Sequence, residues 1–440
     1  LEAAEGLHLV AVLDVPGVPH RVRVFEGRMP DSGVPVWLVD SPLHFDRAGL
    51  PYTGPDGVDW PDNAERFATF ARAAVELAQG RAGLAWKPDV VHCNDWQSGL
   101  VPALLHDEPT RPPTVFTIHN LAYQGLFPWS DFAALDLPSD LWSMDAMEFH
   151  HQFSFIKGGL VYADWLTTVS PTYAKEIQSP AFGEGLEGLL AGRADHLTGI
   201  LNGVDYATWD PANDVYLPHR YDAADLTGKA DNRRALRARL GLPEPEEEMP
   251  VIGLVGRLAG QKGMDLVVDA LPELMERPLQ WAVVGSGDPR LEARLRRAAK
   301  AHPDRIGLYI GYDEGLAHLV EGGADMFLMP SRYEPCGLNQ IYSLRYGTPP
   351  IVRRTGGLAD TVVDATETAL ADGTATGFQF SEATGEALVA AVDRALALHG
   401  QTKRWRQLMR TGMAQDFGWD ASAGHYLEIY ARASAAAAAV

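Results

Sequence analysis

The chain has 440 residues, more than a single hydrophobic core usually serves, so two domains are expected. With 46% hydrophobic and 22% charged residues, the composition is that of a globular protein and excludes fibrous and disordered classes. Its 37 Lys+Arg against 58 Asp+Glu leave a formal charge of −21, which excludes nucleic acid and anionic membrane as expected partners, since both are gripped through basic patches.

Cys93 and Cys336 lie far apart, so no disulfide framework is expected and a cytoplasmic location fits. No apolar run approaches the roughly 20 residues that span a bilayer. The opening LEAAEG lacks a signal-peptide pattern. It also lacks an initiator methionine, so the natural N-terminus is expected to be missing.

In chain order, 8–15 (HLVAVLDV), 21–25 and 36–39 read as short strands. Residues 89–92 (DVVH) form a strand ending in Cys93-Asn94-Asp95-Trp96, and 114–118 (TVFTI) another ending in His119-Asn120. Residues 165–169 form a third, with Ser170-Pro171 as a helix start. After the charged, Pro-rich loop 243–250 (PEPEEEMP) the alternation becomes regular. Strands 251–255 (VIGLV), 281–284, 306–310, 326–329 and 350–352 are each followed by a turn and a helical stretch. Such alternation predicts right-handed crossovers and parallel, doubly wound sheets, with ligands at the carboxyl ends of the strands. Composition alone would divide the domains at 243–250, with 201–211 (LNGVDYATWDP) as the competing hinge. The Ala-rich tail from Ala433 is expected to fray.

The loops at those carboxyl ends hold the chemistry. Arg257 and Lys262 stand five residues apart among Gly256, Gly260 and Gly263, at the opening of a helix. Close backbone approach, a helix N-terminus and two cations suit a diphosphate; two solvated surface cations are the alternative. Glu334 sits at a strand-to-helix turn, where it can meet a sugar hydroxyl or simply cap the helix. Cys336 has no base beside it in sequence and reads as a buried, inert thiol. Thr355-Gly356-Gly357 opens a helix, as a phosphate cradle or a plain N-cap. Asp95, Trp96, His119 and Asn120 fall at strand ends in the first half, and Tyr123, Phe127 and Trp129 can stack on sugars or pack. No Cys/His spacing suits zinc, and no metal or cofactor is expected.

Eight strings, in order, resemble the bacterial glycogen synthase and plant starch synthase family: PDVVHCNDWQSGLVPALL, TVFTIHNLAYQGLFP, FSFIKGGLVYAD, TTVSPTYAKEI, ILNGVDYATWDP, GLVGRLAGQKGMDL, SRYEPCGLNQIYSLRYGTPPIVRRTGGLADTV and DFGWDASAGHYLEIY. The resemblance implies an α/β fold of the GT-B type, two Rossmann-like domains facing a cleft. It places a hinge near Gly203, giving an acceptor-side domain over 1–203, a nucleotide-sugar domain over 204–415, and a helix over 416–440 that returns to the first domain. It implies retaining transfer of glucose from ADP-glucose, or UDP-glucose, to the non-reducing end of an α-1,4-glucan such as glycogen. Arg257 and Lys262 would hold the diphosphate, and Glu334 the glucose, beside Cys336, Gly337 and Leu338. Tyr312 would stack on the adenine, and Thr355 and Gly356 would contact phosphate. Asp95, Trp96, His119, Tyr123 and Asn202 would serve the sugar and acceptor, with His119 assisting front-face attack. One departure stands out: the family's first strand and Lys-x-Gly-Gly-Leu loop are not found in residues 1–60. Lys157-Gly158-Gly159-Leu160 looks similar but lies in a different family segment, expected to be helical. The first βα unit is therefore expected to be absent and activity weak, with an inactive glucan-binding fragment as the alternative.

Overall fold

A computed structural model describes residues 4–247 and 249–437. The chain forms two compact units. Unit 1 comprises 1–168, 177–198 and 426–440; unit 2 comprises 169–176 and 199–425.

Unit 1 carries a parallel core, with strands in the order Leu197–Gly199, Trp165–Thr168, Thr114–Ile118, Val91–Asn94. Every residue of Thr114–Ile118 is buried, as a strand covered on both faces requires. Lys157-Gly158-Gly159-Leu160 lies inside the helix Phe155–Tyr162, as expected. Gly159 is needed there because a Cβ would overlap the Phe116 ring. The early strands do not join this sheet. Glu5–Leu13, Val22–Arg28 and Pro35–Asp40 form a separate antiparallel meander, because short turns connect them and only a long crossover makes parallel neighbours.

Unit 2 holds a six-stranded parallel sheet in the order Ile306–Ile310, Gln280–Gly285, Val251–Val255, Met326–Met329, Pro350–Arg353, Phe378–Phe380. Numbered along the chain this is 3-2-1-4-5-6, the Rossmann order, and the order reverses between Val251–Val255 and Met326–Met329. Helices cover both faces: one core cluster gathers Trp281, Leu274, Phe378 and Leu388, and a second gathers Phe327, Val320, Leu236 and Tyr346.

The helix Thr227–Leu240, which precedes the loop 243–250, belongs to unit 2, so composition misled where it suggested a cut at that loop. Val169–Glu176, by sequence a part of the 1–203 segment, also clusters with unit 2, because Thr172 bonds Asp360 and Glu176 bonds Gly356. The tail did not fray at Ala433: the last helix runs Trp419–Ala437, and 438–440 lie outside the described residues. Within unit 1, that helix donates Tyr430, whose hydroxyl is 2.9 Å from His92 Nδ1. Among the described residues no helix is long and apolar enough to cross a membrane.

Candidate active site

Two adjoining cavities open in unit 2 at the carboxyl ends of the strands, at the point where strand order reverses. The smaller, about 90 Å³, is lined by Arg257, Lys262, Ser331, Glu334, Gly337 and Leu338. The larger, about 330 Å³, is lined by Trp209, Ser286, Tyr312 and Glu314. Gly256, Arg257 and Asn339 line both, so the two are parts of one groove.

Local chemistry explains why these loops converge. Gly263 has φ +68, and a Cβ there would overlap the Pro330 carbonyl oxygen, so glycine lets the Lys262 loop close onto the Pro330–Ser331 loop. Gln261 fastens the two together: its carbonyl accepts the Arg332 N–H at 2.8 Å, and its side-chain oxygen accepts from Arg257 Nη2 at 3.0 Å. Asn339 donates to the Val255 carbonyl at 2.9 Å and ties the next helix to the first strand.

At the centre, Lys262 Nζ lies 2.6 Å from Glu334 Oε2, which also accepts the Ser331 hydroxyl at 2.9 Å. Glu334 is buried at 5% exposure while Lys262 remains partly open. A buried carboxylate with two fixed donors is preorganised, and it holds the ammonium beside Arg257 in the same small cavity. Arg257 and Lys262 both line this cavity and can meet an anion there; among the described residues there is no group of three or more His, Cys, Asp or Glu that could hold a metal ion.

Tyr312 lies on the wall of the larger cavity with 82% of its surface exposed, available to stack on a planar base. Trp209 lines the same cavity, stacked between His318 at 3.7 Å and Tyr342 at 3.9 Å. Sequence reading had passed over Trp209 as part of a hinge and had not singled out Asn339, although both stood within quoted strings.

Other expected residues lie outside the groove's lining. Cys336 is buried, its thiol pushed up to about 12 by burial, and it accepts the backbone N–H of Asn202. That geometry makes it an inert wall and gives Asn202 a backbone task. Thr355 Oγ and the Gly356 N–H both donate to Glu176, at 2.9 and 3.1 Å. The donors expected to meet phosphate thus hold a protein carboxylate, whose pKa burial raises against the pull of those hydrogen bonds.

In unit 1, Asp95 adopts φ 56 and ψ −179, a region that costs a non-glycine residue about 1–3 kcal/mol. Its carboxylate accepts the His119 N–H at 2.7 Å, and burial raises its pKa against that bond. His119 Nε2 lies 2.9 Å from Asn94 Oδ1. Asp95 thus holds a strained backbone at the end of a parallel strand, the place where such sheets bind ligands. Trp96, at 9% exposure, is packed against Phe67, Tyr52, Phe127 and Phe155, so packing accounts for most of its surface. Tyr123 is half exposed.

Comparison with known proteins agrees with this geometry. Residues 3–192 match the starch synthase catalytic domain, and residues 236–411 match glycosyl transferases group 1. The chain is 58% identical to glycogen synthase 1 of Methylococcus capsulatus, over 94% of this chain and 84% of that one. It is 56% identical to a glycogen synthase of Thioalkalivibrio sulfidiphilus, over 98% and 89%. Among solved structures it resembles the catalytic domain of starch synthase IV from Arabidopsis thaliana, bound to ADP and acarbose, with a TM-score of 0.87 and 32% identity over 98% of this chain and 89% of that one. Sequence, strand order and the converging cations agree: the chain belongs to the glycogen synthase and starch synthase family of GT-B glycosyltransferases.

Proposed function

We propose that the protein transfers glucose from ADP-glucose to the non-reducing end of an α-1,4-glucan, with retention of configuration and without a metal or other cofactor. The observation that carries this reading is the pairing of Lys262 with Glu334 beside Arg257 in one cavity at the switch point of the sheet. Arg257 and Lys262 neutralise the diphosphate and stabilise it as the bond to glucose breaks, which is where electrostatic preorganisation acts most strongly. Glu334 presents its remaining acceptor capacity to glucose hydroxyls between Gly337 and Leu338. The base stacks on Tyr312 in the larger cavity, and ADP in the related starch synthase structure supports adenine as that base. Phosphate contact at Thr355 and Gly356 requires Glu176 to release those donors.

Asp95, Trp96, His119 and Tyr123 serve the sugar and acceptor, with His119 assisting the attack. Among the described residues Glu334 is the one carboxylate lining the small cavity with both cations, and it is bonded to Lys262 and Ser331. Front-face attack by the acceptor hydroxyl, its proton passing to the departing phosphate, fits that arrangement. A cytoplasmic enzyme is consistent with the composition.

Initial rates with ADP-glucose and UDP-glucose, using a maltooligosaccharide acceptor, test the donor, and proton NMR of the product tests the new linkage. An α-linked product with kcat/KM favouring ADP-glucose is expected. A β-linkage, or a preference for UDP-glucose, refutes the proposal.

A further inference from the structure

On the opposite edge of the unit 2 sheet lies a second cavity, of about 420 Å³, within the range that holds small metabolites. It opens at the amino ends of the strands, where Pro250 precedes Val251–Val255 and Asp325 precedes Met326–Met329. The donor groove lies at their carboxyl ends, so this is a separate place.

Its charge runs against that of the protein. In a chain of formal charge −21, the cavity is faced by Lys229, Arg233 and Arg406 against the single carboxylate of Asp325, with the His399 ring also in the wall. Asp325 is already committed, accepting Arg233 Nη1 at 2.6 Å and the Val251 N–H at 2.8 Å, with His399 Nε2 also beside it at 3.8 Å. Lys229 is also held: its ammonium reaches the Thr348 hydroxyl at 2.6 Å and the carbonyls of Glu321, Gly322 and Tyr346 at 3.2–3.3 Å. It therefore supplies charge to the wall rather than a direct contact. Burial lowers its pKa to about 7, and an anion nearby would favour the charged form.

Arg406 differs from these. It is exposed at the cavity wall and, among the described residues, makes no hydrogen bond or ion pair. Beside it, the helix Thr402–Met413 begins at a position with no side-chain cap, and Thr402 lines the same cavity. The remaining wall is apolar and aromatic: Trp405, at 6% exposure and set edge-on to His399 at 5.1 Å, together with Leu396 and Met409.

We infer that this cavity is a second binding site, for a phosphorylated small metabolite of the sugar-phosphate class. Its phosphate sits between Arg406 and the start of the helix Thr402–Met413, with His399, already beside Asp325, at the edge of the site, and its carbon skeleton rests against the apolar wall that includes Trp405. Phosphate alone would satisfy the cations but leave the apolar wall wet, so a sugar phosphate binds more tightly than the free anion.

Isothermal titration of the full chain with inorganic phosphate, glucose 1-phosphate and glucose tests this, on the wild type, Arg406→Ala and Arg257→Ala. The expected result is glucose 1-phosphate binding at least tenfold tighter than phosphate, with no heat from glucose. Arg406→Ala should weaken both phosphates at least tenfold without changing Tm or basal transfer. Arg257→Ala, which disables the donor groove, should leave this binding intact. The inference fails if neither phosphate binds, if inorganic phosphate binds as tightly as the sugar phosphate, if Arg406→Ala binds normally, or if Arg257→Ala alone abolishes binding.

Discussion

Replacing Lys262 by alanine separates what the lysine does for catalysis from what it does for the fold. The ammonium lies 2.6 Å from a carboxylate that is 5% exposed. Its removal leaves the Glu334 carboxylate, among the described residues, with the Ser331 hydroxyl as its one side-chain partner. An under-satisfied buried group of this kind costs about 1–3 kcal/mol. For a unit of this size that corresponds to a Tm lower by about 2–12 °C. Catalysis should suffer more. Loss of one preorganised group that stabilises developing charge typically costs about 100- to 1000-fold in kcat, or about 3–4 kcal/mol. Incorporation of labelled glucose into glycogen measures the second effect, and differential scanning fluorimetry the first. The double variant Lys262→Ala, Glu334→Gln distinguishes them: a neutral amide no longer strands a charge, so much of the Tm returns while turnover stays low. If Lys262→Ala keeps kcat within threefold of wild type, or if the double variant is less stable than the single one, the assigned roles are wrong.

Three other perturbations probe separate parts of the molecule. Tyr312→Ala removes a stacking surface that is 82% exposed, so the donor KM should rise about 5- to 100-fold, the worth of one base–aromatic stack, with Tm unchanged. An unchanged KM would place the base elsewhere. Asp95→Gly relieves a backbone held at φ 56 and should leave Tm equal or higher while transfer falls at least tenfold; a lower Tm with activity intact would mean the strain serves no function. His92 should make unit 1 acid-sensitive. Burial, helped by His119, lowers its pKa to about 4 from 6.5, so the unfolded chain binds more protons between those values. Stability from neutral His92 is therefore complete above about pH 6.5 and is lost as pH falls towards 4, by at most about 3 kcal/mol. His92→Gln should flatten Tm between pH 6.5 and 4.5, and an unaltered slope would refute this account.

Much of the fold was legible before any coordinates. The runs 251–255 and 326–329 are apolar and almost wholly buried, the pattern of a strand covered on both faces between turns, so they could be read locally; 306–310 reads the same way although it lies at the sheet edge and is only part-buried. Arg257, Lys262 and Glu334 could likewise be selected from sequence, because loops at the carboxyl ends of parallel strands are where such folds bind ligands. Periodicity could not assign 8–15 to a sheet. An alternating strand reads the same in a meander as in a parallel core, and hydrogen-bond partners are set by the connections.

What the sequence determined by itself was a parallel α/β architecture, its family, and a cationic loop at the opening of a helix, since each depends on local patterns. Tertiary structure alone decided that Lys262 pairs with Glu334, that Glu176 occupies the donors of Thr355 and Gly356, and that Trp209 and Asn339 belong to the groove. Those contacts join residues 72 to 180 positions apart in the hydrogen-bonded cases. Over such separations the path of the backbone, not the identity of neighbouring residues, chooses the partner.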